Sequence, residues 1–331
     1  MTTVPSPGGT PARLAAEYVL PVRWTEDSGL PELTGYLLRL AAHLDVTVVD
    51  GSPDPVFAAH ARVWAGAVRH VAPEEWPGRN GKVAGVMTGV HHARHDAIVL
   101  GDDDVRHTPE TLRRLVELLD GGDVVVPQNF FRPTPWHARW DTARSLINRA
   151  FGSDHPGTLA VRRSTLLHAG GYDGDVLFEN LELIRTVRAV GGRIIRADDL
   201  FIERRPPTPR HFREQRVRQA YDGFAQPARL VAELALAPML VWAARRPGRL
   251  LGIAAIAIGV AEFGRRRRGG RRVFAPTAAL WAPAWVLERA VCAWLAVGAR
   301  VRGGARYTGG RIPRAGSSPR VLRARGGHRV P

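Results

Sequence analysis

Three adjacent carboxylates, Asp102, Asp103 and Asp104, directly follow the apolar run Ala97-Ile98-Val99-Leu100 and Gly101. Carboxylates at i and i+2 just past a strand can converge on one hard cation. Mg2+ and Mn2+ take such oxygen ligands, often shared with substrate phosphates. The triplet equally fits an acidic surface turn leading into the next helix, and the residues alone leave both readings open. A second acidic turn, Asp50-Gly51-Ser52, closes the β-branched run "DVTVVDGS". Lys82 is the single lysine among 47 basic residues. A compact ammonium beside a diphosphate is one reason to keep lysine where arginine is otherwise universal, and chance is the other. Glu179 and Glu182 lie three residues apart and share a helix face. An acidic pair is favoured at a helix N-terminus in any case.

Alternating strands and helices must position these groups. Residues 17–22, 45–52, 68–73, 96–101 and 123–128 read as nearly all-apolar strands. Residues 30–44, 54–67, 81–93 and 108–119 carry helical spacing, the last with Thr108 as N-cap and Pro109 in the first turn. This alternation predicts an α/β fold, a mostly parallel sheet with helices on both faces. Ligands of such sheets sit at the carboxyl ends of the strands, where Asp50 and Asp102–Asp104 fall.

Several segments together resemble the inverting family 2 glycosyltransferases, which have a Rossmann-like GT-A fold. "VLGDDDVRHTPETL" resembles the family's DxD segment, "VLPVRW" its first strand and "VVDGSPD" its second strand and acidic turn. "GRNGKVAGVMTGVHHARHDAIVL" resembles the stretch before the DxD strand, "PGTLAVRRSTLLHAGGYD" the acceptor-side segment and "FENLELIRTVRAVGG" the Glu-Asp helix. "EQRVRQAYDG" resembles the Gln-x-x-Arg-Trp motif of the membrane-processive and lipid-acceptor branches. The likeness runs over about residues 17–225.

The resemblance implies a nucleoside-diphosphate sugar donor and a metal ion, Mg2+ or Mn2+, bridging its diphosphate. Asp50 would accept from the base, with Gly51 and Ser52 beside it. Asp102, with Asp103 next to it, would touch the ribose or sugar, and Asp104 with Asp102 would bind the metal. Lys82, Gln215 and Arg218 would face the donor, the guanidinium gripping the diphosphate by paired hydrogen bonds. Gln219 replaces the motif's Trp. His155 and Gly157 are candidates for acceptor contact. The family's general base is the Asp of the Glu-Asp pair. Here that position is Asn180, whose amide cannot take a proton, so the role would pass to Glu179, with Glu182 near it. A catalytically inactive nucleotide-sugar-binding protein is the alternative, and a nucleotidyltransferase a weaker one, since no Gly-rich phosphate loop follows the first strand. His91, His92 and His95 read as ordinary helix-surface histidines, and Trp136 and Trp140, at i,i+4, as packing residues.

Charge divides the chain. The formal net charge is +16, yet residues 227–331 alone carry 20 Arg, no Lys and 3 acidic residues. Apolar runs at 230–244, 250–264, 275–287 and 290–299 alternate with Arg clusters such as "RRRRGGRR". Each run falls short of the ~20 residues of an ordinary spanning helix. Arg beside apolar helices suits an anionic membrane surface. Nucleic acid is excluded as partner because no nucleic-acid-binding motif accompanies the arginines. Cys292 is the lone cysteine, so no intrachain disulfide or Cys-based metal site exists. No secretory signal is visible at the N-terminus.

The sequence therefore predicts a disordered leader at 1–16, a GT-A domain at 17–226, membrane-associated helices at 227–302 and a basic flexible tail at 303–331. The expected location is the cell membrane, with the catalytic domain facing the cytoplasm. The expected acceptor is a membrane lipid or lipid-linked molecule.

Overall fold

The computed structural model describes residues 13–26, 28–152, 154–308 and 310–327. Most of the expected leader lies outside them. The first half alternates β1 (Ala16–Val22), α1 (Leu30–Ala41), β2 (Asp45–Asp50), α2 (Asp54–Trp64), β3 (Arg69–Val71), α3 (Gly81–His92), β4 (Ala97–Gly101), β5 (Val105–Arg106), α4 (Pro109–Leu119) and β6 (Val124–Phe131). Then come α5 (Trp136–Phe151), β7 (Thr158–Arg162), α6 (Arg163–His168), α7 (Glu179–Ala189), β8 (Ile194–Arg204), α8 (Pro209–Glu214) and α9 (Arg216–Tyr221). The last part holds α10 (Pro227–Ala244), α11 (Pro247–Arg266), α12 (Ala282–Val301), the hairpin β9 (Ala305–Tyr307) and β10 (Gly310–Ile312), and α13 (Pro319–Gly327).

One eight-stranded sheet runs in the order β3-β2-β1-β4-β7-β6-β8-β5. β1, β2, β3 and β4 are parallel, while β7 runs antiparallel to both β4 and β6. This curled, mostly parallel sheet with helices on its faces is GT-A-like. Its two faces each bury a cluster of aliphatic and aromatic side chains, one around Leu20, Leu37 and Val99, the other around Val19, Met87 and Ile98. Helix α3 lies very close to β1. A Cβ at Gly89 would stand 2.2 Å from Val19 Cγ1, so only glycine permits the contact.

Two local devices fix the acidic turn. Thr108 caps α4, its hydroxyl taking the Thr111 N–H while the Thr111 side chain takes that of Thr108. Thr108 therefore starts the helix just beyond the turn. Between them β5 pairs antiparallel with β8, setting Val105 opposite Arg204. That register carries the arginine to the carboxylates.

The C-terminal region departs from the expected short apolar runs. α10, α11 and α12 have 18, 20 and 20 residues, and three helices, Pro227–Ala244, Pro247–Arg272 and Pro276–Val301, are long and apolar enough to cross a membrane. α11, α12 and the segment between them pack on α5 of the sheet domain through Leu146, Ala261, Phe274, Ala282 and Trp285. Trp140 donates to Glu288 at 2.9 Å and stands beside Trp281, so the Trp136/Trp140 pair is packing at this junction.

The expected flexible tail at 303–331 is corrected over residues 305–327. The described residues of this stretch fold back onto the sheet domain: Tyr307 Oη donates to Asn80 Oδ1 (2.7 Å), Ser317 N–H to Glu182 (2.7 Å) and Arg325 to Asp173 (2.9 Å). Three full crossings would strand this segment on the opposite side of a bilayer from the domain it touches. The contacts require an even number of crossings, or none.

Candidate functional site

Lys82 is the hub. Its Nζ lies 2.5 Å from Asp102 Oδ1 and 2.7 Å from Glu179 Oε1. Three separate elements meet there: the first turn of α3, the end of β4 and the first residue of α7. Asn80 caps α3, accepting the Lys82 N–H at 3.1 Å, and donates to Val176 O at 2.9 Å, which ties the lysine's helix to the segment before α7. Burial disfavours the ammonium, but the Asp102 and Glu179 charges outweigh it and hold the Lys82 pKa above its usual value.

Arg204 completes the cluster from the other side, with Nε 2.8 Å from Asp104 Oδ2 and a terminal nitrogen 3.4 Å from Asp102 Oδ2. Burial raises the Asp102 carboxyl, but the Lys82 and Arg204 charges prevail and lower it. At Asp104 burial prevails: despite Arg204, the carboxyl is pushed up to about 6, with Asp102 and Asp103 repelling its charge. Asp104 Oδ1 is buried with no hydrogen-bond partner. A carboxylate oxygen left bare beside a second carboxylate fits a hard divalent cation, for which oxygen donors are the natural ligands. Asp103 turns the other way and accepts from Trp24 Nε1 at 2.6 Å. The three adjacent charges are thus separated onto Lys82, Arg204 and an indole N–H, which is how the triplet is tolerated.

Gly157 supports Asp102 from beneath. Its carbonyl accepts the Asp102 N–H at 3.0 Å, and a Cβ there would fall 2.5 Å from Asp102 Oδ2. Asn180 donates to Pro156 O at 2.9 Å and so pins this segment rather than facing a reacting group. Asp154 fixes the same segment to α5, accepting from Ser145 at 2.5 Å and Asn148 at 2.7 Å. His155 packs edge-on to Phe178, and burial lowers its imidazole to about 4, leaving it neutral.

Three expected site residues are placed elsewhere. Asp50 is 1% exposed, and both its oxygens are used, by His60 (2.6 Å), His70 (3.0 Å) and the Ser52 N–H (2.9 Å). It has no free oxygen for a base and instead shapes the Gly51-Ser52 turn, whose Ser52 Oγ accepts the Trp24 N–H at 2.8 Å. Burial alone would raise its carboxyl, but the hydrogen bonds from His70, Ser52 and His60 hold it at about 2. Glu182 is fully buried and accepts from Ser317, so it binds the C-terminal segment and not the cluster. Gln215 hydrogen-bonds His211 one turn back on the surface. Arg218 does reach the site: its guanidinium stacks over the Tyr307 ring at 4.9 Å, and its charge acts on Asp102 and Asp222.

Two site residues escaped the sequence reading. Arg204 sits in "FIERRPP", where nothing but β5–β8 pairing distinguishes it from its neighbour Arg205. Asp222 lies four residues past Arg218, inside the segment "EQRVRQAYDG", where the motif does not single it out. Burial pushes its carboxyl up to about 7, against the pull of Arg218 and with the repulsion of Glu179. The Asp50-His60-His70 group also has metal-capable donors. His91 and His92 both face Glu74, and His95 faces Asp45.

Residues 31–169 match the family model described as Glycosyl transferase family 2. No curated protein matches the sequence. Among solved structures the chain is similar to a mannosyltransferase from Pyrobaculum calidifontis in complex with GDP-Man and Mn2+. The TM-score is 0.50 and the identity 17%, over 86% of this chain and 88% of that one. A glucosyl-3-phosphoglycerate synthase from M. tuberculosis also aligns, at 22% identity over 60% of this chain and 74% of that one, with TM-score 0.41. The family match lies within the sheet domain and includes Lys82, Asp102–Asp104 and Gly157. The first structural likeness extends past that domain and establishes a shared GT-A-type fold.

Proposed function

We propose that this protein is an inverting, metal-dependent family 2 glycosyltransferase that moves a sugar from a nucleoside-diphosphate donor to an acceptor hydroxyl at a membrane. The observation that carries the reading is the bare, buried Asp104 oxygen beside Asp102, within a cluster whose positive charges come from Lys82 and Arg204. Mg2+ or Mn2+, held by Asp104 with Asp102, would supply Lewis-acid neutralisation of the leaving diphosphate. Lys82, Arg204 and Arg218 are the cations available to that diphosphate, and a fixed positive array of this kind stabilises charge as it develops. Asp103 and Ser52 hold Trp24 at the donor end. Gly157 allows the acceptor-side backbone to approach Asp102.

Glu179 is assigned as the general base, because it lies in the cluster where Asn180 does not. A second reading favours Asp222, whose carboxyl titrates near 7, the range in which a general base works best. The pH profile separates them. If Asp222 is the base, kcat/KM rises with pH through about 7, and Asp222→Asn removes that limb. If Glu179 is the base, Glu179→Gln abolishes turnover and Asp222→Asn leaves the limb in place.

The protein is placed at the cell membrane with the catalytic domain on the cytoplasmic side, where arginine-rich flanks are retained. Exposed Val231, Val241, Trp242, Leu251 and Ile256 on α10 and α11 support an apolar, lipid-facing surface. The test is transfer from a panel of nucleotide sugars to a membrane extract, with and without Mn2+. Metal-dependent transfer from one donor is expected. Absence of both transfer and donor hydrolysis throughout would overturn the enzymatic reading.

A further inference from the structure

A cleft of about 910 Å³ lies between the catalytic domain and the C-terminal helices, and its two ends differ in chemistry. One end is apolar, lined by Leu236 and Met239 of α10, Ile253 and Ile256 of α11 and Val286 of α12. Ile256 is 68% exposed and Met239 37%, so the apolar lining reaches the outer surface of α10 and α11. The other end gathers Arg185 and Arg188 of α7, Arg196 of β8, Arg229 of α10 and Arg323 of α13. Glu233 is the one acidic residue in the lining, and Arg229 already pairs with it at 2.8 Å. The side chains of Arg188 and Arg196 are exposed and make no hydrogen bond or close ion pair among the described residues, though Asp198 attracts Arg196 from a distance. Trp285 also lines the cleft, 5% exposed, and its indole N–H has no acceptor.

Five arginines share this lining with few acidic neighbours, Glu233 beside Arg229 and the nearby Glu182 and Asp198, so the positive charge is only partly balanced and an anion can join it. An apolar trough leading away from them suits a chain and not water. We infer that the cleft binds one phosphate-bearing membrane lipid, its head on the arginines and a hydrocarbon chain between α10 and α11. A soluble phosphate satisfies only the arginines, and a neutral lipid only the trough. The inference rests on the membrane association proposed above and not on sugar transfer. It bears on transfer through position, since His155 lines the cleft while Gly157, two residues on, touches Asp102. The lipid head is thereby one short segment from the acidic cluster, on the acceptor side.

The test uses the full chain in a nonionic detergent, titrated with phosphatidylglycerol or phosphatidylcholine carrying brominated acyl chains. The readout is the quenching lost in Trp285→Phe, which isolates the tryptophan in the cleft. Saturable quenching is expected at an approximately tenfold lower mole fraction of phosphatidylglycerol than of phosphatidylcholine, because only the former adds a net negative charge beside the arginines. The double variant Arg188→Glu, Arg196→Glu is expected to raise the phosphatidylglycerol midpoint tenfold or more, since neither side chain supports the fold. Equal midpoints for the two lipids in the unaltered protein overturn the inference without recourse to any variant. An unchanged midpoint in the double variant, or full competition by glycerol phosphate, also overturns it. Lipid binding without transfer from any nucleotide sugar keeps the site and removes the enzymatic reading. Transfer with no preference for phosphatidylglycerol does the reverse.

Discussion

Both regions hold buried arginines against carboxylates, as Arg289 beside Glu233 and Arg265 on Glu262 show in the C-terminal helices, but only the C-terminal region adds exposed arginines beside apolar helix faces. In the sheet domain, positive charges converge on carboxylates: Lys82 on Asp102 and Glu179, Arg204 on Asp102 and Asp104, Arg216 on Asp141. Each pair is at least partly buried and sits at the end of an element, so charge there fixes geometry. In the C-terminal region, arginines such as Arg245 and Arg246 are exposed and flank helices whose outward faces are apolar. On the membrane association proposed above, charge there would mark a boundary between water and lipid. A single net charge conceals this division, which decides what each half does.

The comparison breaks first at Asp104. Asp104→Asn removes the carboxylate assigned to the metal, and an approximately thousandfold loss of metal-dependent transfer is expected, the scale seen when a charge-stabilising group is deleted. Metal-dependent kcat/KM is the measurement.

Next is the joint between the two halves. Arg216 of α9 stacks on Phe212 at 3.9 Å, pairs with Asp141 of α5 at 2.8 Å and reaches Glu288 of α12 at 3.5 Å. Arg216→Ala leaves buried Asp141 without this partner, and a loss of about 3 kcal/mol is expected in denaturant unfolding. A loss below about 1 kcal/mol would mean that the halves are held by apolar packing alone.

The boundary role of the C-terminal region is sharpened by placing charge on its apolar face. Val241→Glu with Leu251→Glu is expected to move a large fraction of the protein from the membrane pellet to the high-salt wash, because each charge costs about 2 kcal/mol or more at the depth of an inserted helix.

A smaller effect belongs to His107, buried beneath the acidic turn against Thr158 and Tyr18. Burial lowers its pKa from 6.5 to about 3. The unfolded chain then takes up a proton below about pH 6.5 that the folded chain refuses. This component of stability is present above pH 6.5 and is lost as pH falls toward 3, by up to about 1.4 kcal/mol per pH unit. The slope of stability against pH between 6 and 4 should be lower in His107→Gln by about one proton. The smallest effect is expected at Arg210, whose pair with Glu214 is fully surface-exposed. Arg210→Ala should change stability by less than about 0.5 kcal/mol.

The sheet domain was legible where local pattern decides structure. Strands β1, β2, β3, β4 and β6 and the helices between them follow from apolar runs and helical spacing, and Thr108 and Pro109 start α4 as the residues dictate. The candidate cluster was legible where a motif sits at a strand end, as with Asp102 and Asp104, and where composition was odd, as with Lys82, all of which the fold brings together. It was not legible where partners come from distant sequence. Asp50 looked open from its strand-end position, but His60 and His70 arrive from α2 and β3 to occupy it. Glu182 shares a face with Glu179 by spacing alone, yet the returning segment at Ser317 claims it. Arg204 is selected by strand register, which no local pattern encodes. The arginine-rich C-terminus read as flexible from composition, and its docking depends on acceptors such as Asp173 and Glu182 more than a hundred residues away.

The central claim is that Asp102 and Asp104 form a metal–diphosphate site. Mn2+ binding measured by electron paramagnetic resonance, with UDP or GDP added, tests it directly. A nucleotide-dependent Mn2+ signal is expected in the unaltered protein, with its affinity reduced at least tenfold in Asp104→Asn and little changed in Asp103→Asn. Equal Mn2+ affinity in the unaltered protein and Asp104→Asn would contradict the account.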